Sequence, residues 1–353
     1  MTKVIVGMSG GVDSAVTAYL LKIAGYDVVG LTLRTFVFSD GADSRCCEID
    51  DAKQVADTLG IPYYVKNCMS EFKNTVVRPF VNDYISGVTP NPCVLCNRSV
   101  KWDKMLEFAK MMQADLIATG HYASVVQLEN GRYTVRKGVH GQKDQAYMLY
   151  RLMQGQLAKT LMPLGRLTKQ EVRDIAKKAS IPVAEKGDSQ EICFVPDDDY
   201  AGFIEENAET ELPGEGMFVD EEGNVLGRHR GIIHYTVGQR KGLGIALGYP
   251  AYVKEINTEK NEVVIASEDA LYSKEIFCRD LNFLSIPGLK AGEKLCCKVK
   301  VRYHHKEQEA EIEMTDQDKI RVTFEDPVRA AAPGQSAVFY DDEGNVIGGG
   351  IIE

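Results

Sequence analysis

Over residues 1 to about 195, short apolar runs alternate with segments whose apolar positions recur at helical spacing. Val4–Val6 is an apolar run that leads into a glycine-rich turn, and Ala15–Ala24 then reads as a helix. Tyr26–Leu33 is a second β-rich run, Asp51–Leu59 is helical, and Tyr63–Val65 is a short strand. Lys101–Met112 carries an apolar helix face, and Leu116–Thr119 is a further strand ending in Gly120. Strands that alternate with helices predict a parallel sheet built from right-handed βαβ units, with any ligand at the carboxyl ends of its strands. Asn130-Gly131, between Val125–Leu128 and Tyr133–Val135, predicts a hairpin inserted into this α/β unit.

The pattern changes near residue 205. Pro213-Gly214, Glu222-Gly223-Asn224, Gly242–Gly248 and Gly288 punctuate short β-rich runs, among them Val263–Ile265, Lys298–Arg302, Ile320–Phe324 and Ala337–Tyr340. This half is expected to be mainly β. A boundary near 205 and a weaker one near 265 divide the chain into 1–204, 205–265 and 266–353. The similar phrases Glu222-Gly223-Asn224-Val225 and Glu343-Gly344-Asn345-Val346 read as two hairpin turns, not as a domain repeat.

A length of 353 residues suits two or three domains, and 44% hydrophobic with 26% charged residues is the balance of a soluble globular protein. No apolar run reaches the roughly 18 residues that span a bilayer, and the first run is too short for a signal segment. The chain is therefore expected in the cytoplasm, with no membrane partner. Nine cysteines in such a compartment point to metal binding or catalysis before a disulfide scaffold. A net charge of −10 argues against nonspecific nucleic-acid binding but leaves room for local basic surfaces.

The first candidate chemistry is the string Gly7-Met8-Ser9-Gly10-Gly11-Val12-Asp13-Ser14, which follows a strand and opens a helix. Paired glycines let backbone approach an anion, and a helix N-terminus offers N–H groups and a positive dipole end. Ser9 and Ser14 can add hydroxyls, whereas Asp13 would repel phosphate unless it caps the helix or holds Mg²⁺. The lysine of a Walker A loop is missing. An ordinary strand–turn–helix joint is the plain alternative. The string resembles the pyrophosphate-binding loop of the ATP-pyrophosphatase (PP-loop) superfamily, which implies an adenine nucleotide alpha-hydrolase-like fold, ATP as substrate and activation of an oxygen by adenylation. That resemblance leaves amidation, argininosuccinate synthesis and tRNA thiolation open.

The cysteines separate these. Asn91-Pro92-Cys93-Val94-Leu95-Cys96-Asn97 places a Cys-x-x-Cys in a proline-bearing loop before a helix, and Cys193 follows in Asp188-Ser189-Gln190-Glu191-Ile192-Cys193-Phe194. A helix N-terminus favours thiolate, the nucleophilic form. Zinc would want a second close ligand pair, which is missing. Cys68, Cys278, Cys296 and Cys297, and less firmly Cys46-Cys47, read as small buried hydrophobes. With Gly120-His121-Tyr122-Ala123, Lys143-Asp144-Gln145, Tyr235–Gly244 and Pro333–Tyr340, these strings are similar to the tRNA-specific 2-thiouridylase family over essentially the full length.

That resemblance implies an α/β ATP-binding domain, a small central β domain and a C-terminal β-barrel that contacts RNA. It implies ATP-dependent 2-thiolation of the wobble uridine (U34) of tRNA, with Mg²⁺ on the phosphates. Cys193 carries sulfur as a persulfide and Cys96 is the nucleophile facing it. A cysteine desulfurase or relay protein donates the sulfur. Many family members carry Asp where this chain has Cys93, so that residue cannot inherit an aspartate's role. The alternative is a [4Fe–4S] cluster on Cys93, Cys96 and Cys193, since thiolates are the usual cluster ligands. By the same resemblance Gly7–Ser14, Leu33 and Gly120 hold ATP, and Asn91, Pro92, Cys93, His121, Lys143, Asp144, Gln145, Arg302, Tyr303 and Gln335 contact tRNA. Two basic stretches, Gly227–Lys241 and Lys294–Lys306, relieve the acidic total. Alternation in Lys298-Val299-Lys300-Val301-Arg302 predicts three cations on one strand face, suited to phosphates.

Overall fold

The alternating apolar runs of the first half become a parallel sheet. The computed structural model describes every residue except Ser39, Arg45, residues 188–191 and Gln317, and except the side chains of Gln142 and Asp198. β1 (Lys3–Gly7), α1 (Val12–Ile23), β2 (Asp27–Arg34), α2 (Ile49–Leu59), β3 (Tyr63–Asn67) and β4 (Leu116–Ala118) follow the expected alternation. The hairpin β5 (Ala123–Gln127) and β6 (Tyr133–Lys137) comes next, then β7 (Thr160–Leu161). Among the described residues the sheet order is β3-β2-β1-β4-β7, with parallel pairing throughout.

The chain leaves β1 toward β2 on one side and reaches β4 on the other. The crevice at the carboxyl ends of β1 and β4 is therefore a topological switch point, the place where such sheets bind ligands. Alternate β1 residues face opposite sides, as the strand period requires. Ile5 packs with Leu31, Trp102 and Ile117, while Val4 and Val6 pack with Val16, Val28 and Ala52. Both faces are thus covered by apolar layers, which explains why these strands read as unbroken apolar runs.

The Cys-x-x-Cys does not lie in a loop ahead of a helix, as expected. Pro92 sits at the first helical position of the short helix Pro92–Cys96, which runs on through a wider turn, Asn97–Trp102, into Asp103–Met111. Proline suits that position because its missing N–H would be unpaired there anyway. Trp102 is fully buried and donates Nε1–H to Thr160 Oγ1 at 2.8 Å, which anchors this helical run to the strand edge.

In the second half, β8 (Gly216–Val219), β9 (Val225–His229), β10 (Tyr252–Asn257) and β11 (Glu262–Ala266) form a small sheet in the order β10-β11-β8-β9. β12 (Tyr272–Phe283), β13 (Lys294–Lys300), β14 (Gln308–Asp316), β15 (Lys319–Arg329), β16 (Ser336–Tyr340) and β17 (Val346–Ile352) close a barrel through β12–β17 pairing. Closure removes sheet edges. The barrel packs on the β5–β6 hairpin: Thr134 Oγ1 donates to the Val346 carbonyl at 2.6 Å, and Val338, Tyr340 and Val346 join the core of the first sheet. Among the described residues no helix is long and apolar enough to cross a membrane.

Candidate functional site

The glycine-rich string forms the turn between β1 and α1 and is braced from several sides. Met8 N–H donates to the Leu31 carbonyl at 2.8 Å, and Thr32 Oγ1 donates to the Met8 carbonyl at 2.6 Å, tying the turn to β2. Gly10 adopts φ +83°, and a β-carbon there would stand 2.6 Å from the Glu48 carbonyl oxygen, so only glycine fits. Ser14 Oγ accepts from Ser9 N–H at 3.2 Å and donates to the Gly11 carbonyl at 3.0 Å. That hydroxyl shapes the turn. Gly11 is the N-cap of α1 and no side chain caps it, which leaves the first-turn N–H groups for a ligand.

Asp13 neither caps the helix nor is left to a metal. Both its carboxylate oxygens accept from Lys169 Nζ, at 2.8 and 2.9 Å, and Tyr122 Oη donates to Oδ1 at 2.7 Å. Lys169 is nearly buried at the start of the helix Lys169–Lys178, whose Thr168 and Glu171 form a capping box. The pair cancels the charge that would repel phosphate. Among the described residues no group of three acidic, histidine or cysteine side chains is placed to hold a metal ion. Magnesium in such sites takes most of its ligands from phosphate and water, so no protein ligand is assigned to it.

Lys169 was invisible to sequence reasoning, since 156 residues separate it from Asp13. Lys169→Met strands the Asp13 charge beside the phosphates and is expected to raise the KM for ATP roughly ten- to hundredfold. Asp13→Asn in the same chain should restore most of the loss, as steady-state AMP release would measure.

Gly120 ends β4 beside the turn. A β-carbon on it would lie 2.8 Å from the Asp13 carbonyl carbon and 2.9 Å from Ser14 N, so the segment just after β4 touches the first turn of α1 backbone to backbone. A cleft of about 190 Å³ opens here, lined by Ser9, Leu33, Lys101, Gly120, His121 and Gln145. A neighbouring lobe of about 270 Å³ reaches Lys143, Lys169 and Lys186. His121 Nδ1 lies 2.9 Å from Thr119 Oγ1 and its ring packs on Trp102. Burial, helped by Lys101, pushes its pKa down to about 3, so it is a neutral ring at physiological pH.

Gln145 Oε1 accepts from Tyr122 N–H at 3.0 Å. Asp144 is buried, and its Oδ1 accepts from Gly138 N–H and Ala146 N–H at 3.1 and 3.2 Å. The string Lys143-Asp144-Gln145 is therefore not a freely solvated loop: its aspartate pins the backbone that presents its neighbours to the cleft.

The thiols gather on one flank of this cleft. Cys96 is buried among Phe72, Phe80, Val100 and Phe194, and that burial pushes its thiol up to about 12. Cys193 is half-buried against the same cluster, and Cys93 is exposed. Residues 188–191 of the motif around Cys193 lie outside the described residues. Lys101 is the common neighbour. Burial works against its charge, but Cys96, Cys46, Cys93 and Cys193 more than offset this and hold it protonated.

Lys101 and Cys46 were both missed. Cys46 reads in sequence as a small buried hydrophobe, yet it is half-buried and lines both lobes of the cleft. Cys47, Cys68, Cys278 and Cys297 are buried as expected, whereas Cys296 is exposed. Cys93, Cys96 and Cys193 do not form a ligand set in this arrangement, with Cys96 enclosed by aromatic rings, so no step is derived through a cluster.

The expected cationic face on β13 is not free. Lys298 pairs with Asp342 at 2.8 Å and Glu309 at 3.8 Å. Lys300 is buried over the rings of Tyr147 and Tyr303, and Arg302, beyond the strand, donates to the Val237 carbonyl at 2.7 Å. Alternation revealed the shared face but not the acidic partners from other strands. Arg228, Arg230, Arg240 and Lys241 of the other basic stretch are exposed, while His229 is buried between the Asn261 carbonyl and Gly231 N–H. Tyr303 packs edge-on against His304. Gln335 Nε2 donates to the Thr89 and Pro90 carbonyls at 3.0 and 3.2 Å, clamping the barrel to the segment just before Asn91 and the Cys-x-x-Cys helix.

A phosphate-ready turn at the switch point of a parallel sheet, joined to a small β unit and a closed barrel, defines an ATP-using enzyme of the HUP-domain class. Residues 2–197 match the family described as the tRNA methyl transferase HUP domain, residues 201–267 its PRC-barrel domain, and residues 273–352 the aminomethyltransferase β-barrel domain. The chain is 52% identical, over all its length and 99% of the relative, to the tRNA-specific 2-thiouridylase MnmA of Lachnoclostridium phytofermentans. It is 52% identical to that of Acetivibrio thermocellus, over 99% of each chain. To the tRNA-specific 2-thiouridylase MnmA 1 of Clostridium tetani it is 49% identical, over 99% of this chain and 96% of the relative. The chain belongs to the tRNA-specific 2-thiouridylase MnmA family.

Proposed function

We propose that the chain uses ATP to adenylate the C2 oxygen of U34 in tRNA and replaces that oxygen with sulfur carried as a persulfide on Cys193. The observation that carries this reading is that Cys96 and Cys193 share one apolar cluster, which Leu33 joins to a phosphate-ready cleft. Methyl transfer, named in the descriptions of two of the matched families, needs neither ATP cleavage nor a thiol cluster. The uridine O2 attacks the α-phosphate and pyrophosphate leaves. A second thiol opens the persulfide, forming a disulfide with Cys193, and the sulfide so released attacks C2 while AMP departs with the original oxygen. Magnesium, when bound, neutralises the phosphates.

Gly7–Ser14, Leu33 and Gly120 form the nucleotide site in this reading. Residues 1–204 perform the chemistry, and 205–265 with 266–353 grip the RNA. The wobble base must leave its stack to reach the cleft. Asn91, Pro92, Cys93, His121, Lys143, Asp144, Gln145, Arg302, Tyr303 and Gln335 border its path, and the exposed Arg228, Arg230, Arg240 and Lys241 supply phosphate contacts. By family resemblance Cys96 is the second thiol, and a cysteine desulfurase or relay protein loads Cys193. A cytoplasmic setting, where transient disulfides can be reduced, suits this chemistry.

The test is thiolation by protein purified without iron, given tRNA, ATP, Mg²⁺ and a persulfide donor. Equal amounts of AMP and 2-thiouridine are expected. Thiolation that appears only after a cluster is rebuilt would instead favour the [4Fe–4S] route. The pH dependence follows from the site. The thiol of Cys96 lies above the usual cysteine range, so its thiolate fraction, and with it the single-turnover rate, should rise through pH 9. His121, already neutral, should add no limb between pH 5 and 8. A bell centred near neutrality would contradict this.

A further inference from the structure

One cation on the cleft wall has no role in the reading above. Lys101 belongs to the wider turn Asn97–Trp102, beside the buried Trp102 that ties this turn to Thr160. It is half-buried and lines both lobes of the cleft. Among the described residues the two lobes share only Ser9, Asp13, Cys46, Lys101 and Gln145, which therefore border their junction. The first lobe is walled by Leu33 and Gly120, the second by Gly11 and Val12 at the start of α1. A nucleoside in the first lobe and the β- and γ-phosphates in the second place the α-phosphate of ATP at that junction.

The other charges around the junction are matched. Asp13 is held by Lys169, and Lys186 pairs with Glu48 and Asp51. Lys143 borders the second lobe alone. Lys101 has no carboxylate partner among the described residues. A half-buried ammonium without a counter-ion is costly to hold, and an anion entering the cleft offsets that cost. Charge also develops here during the reaction. As the uridine O2 attacks, negative charge moves onto the α-phosphate oxygens and the departing pyrophosphate. A cation fixed in advance beside those atoms stabilises them with no reorganisation at the moment of reaction.

We propose that Lys101 is a catalytic residue of the adenylation step, its ammonium donating to the α-phosphate of ATP at the junction of the two lobes. The proposal rests on the reading of the chain as an adenylating enzyme. In the step the bond from uridine O2 to the α-phosphorus forms, and the bond from that phosphorus to the bridging oxygen of pyrophosphate breaks. Pyrophosphate leaves with the electron pair, and the N3 proton of the uridine passes to water. Lys101 stays protonated and transfers no proton, and nothing is oxidised or reduced. When sulfide later displaces AMP, the charge that returns to the phosphate meets the same cation.

Equilibrium binding of AMP and adenosine to the full-length chain tests the contact, because the two probes differ in the α-phosphate alone. The wild type should prefer AMP, and K101M should lose at least roughly tenfold of that preference while binding adenosine as before. K101R keeps the charge and should recover part of it. Single-turnover AMP formation from ATP and tRNA should fall roughly 100- to 1000-fold in K101M, the scale of losing one group that stabilises developing charge. An AMP preference unchanged in K101M overturns the assignment. So does a K101M chain that forms AMP at the wild-type rate but no 2-thiouridine, which would place Lys101 in sulfur transfer. Acetylation of Lys101 in the wild type, followed by peptide mass spectrometry, requires no variant to fold. AMP should slow it well beyond adenosine, and equal protection by the two would remove Lys101 from the phosphate. A wild type that forms no AMP from ATP and tRNA contradicts the function itself. A wild type that forms AMP no faster than K101M contradicts this inference alone.

Discussion

Cys193→Ser is expected to lower 2-thiouridine formation by about 10⁴-fold or more, the scale on which loss of a covalent catalytic group acts. ATP binding and tRNA-dependent AMP formation should survive, because Cys193 packs against the aromatic cluster beyond the cleft and does not line it. A serine hydroxyl cannot carry sulfane sulfur, yet it nearly matches the thiol in size, so the fold should be undisturbed. Mass spectrometry of digested tRNA nucleosides measures the sulfur, and release of labelled AMP measures activation. Loss of both together would mean that Cys193 serves the nucleotide site. Retention of both would remove it from the reaction.

Gly120→Ala should separate the steps the other way. Its β-carbon would press on the backbone of Asp13 and Ser14 at contacts below 3.0 Å, which real β-carbons do not make. Backbone cannot rotate away as a side chain can, so β4 and the phosphate turn must move apart. A displacement of this kind, near 1 Å, typically costs about 100-fold in catalysis. The expected result is a loss of that size in kcat/KM for ATP, with AMP and 2-thiouridine falling together. Reaction of Cys193 with a persulfide donor should be unchanged, since Cys193 packs against the aromatic cluster and does not line the cleft. Unaltered ATP kinetics would show that the contact between Gly120 and the first turn of α1 does not set the phosphate site.

Much of this arrangement was legible because it is local. The run Val4–Val6 and the glycines after it announce β1 and its turn within one short string, and the apolar runs that follow give the parallel sheet. Asn130-Gly131 marked the β5–β6 hairpin, with Gly131 at φ +81°. What could not be read arises from side chains that meet only after folding. Lys169 reaches Asp13 from a distant helix, and nothing in its own surroundings marks it as the counter-ion of the phosphate turn. Cys46 resembled its buried neighbour Cys47, and the difference between them is set by which of the two faces the cleft. Of the three cations expected on one face of β13, Arg302 lies beyond the strand, and Asp342 and Glu309, which take up Lys298, come from elsewhere in the barrel. Strand period places a charge on a face; it does not say what stands opposite.

The central claim is that the base oxygen itself is activated by ATP. It is tested most directly with tRNA carrying oxygen-18 at O2 of U34, reacted with ATP and persulfide-loaded protein. The account predicts that the heavy oxygen leaves in the phosphate of AMP, one label for each 2-thiouridine formed. AMP without the label, alongside thiolated tRNA, would contradict it.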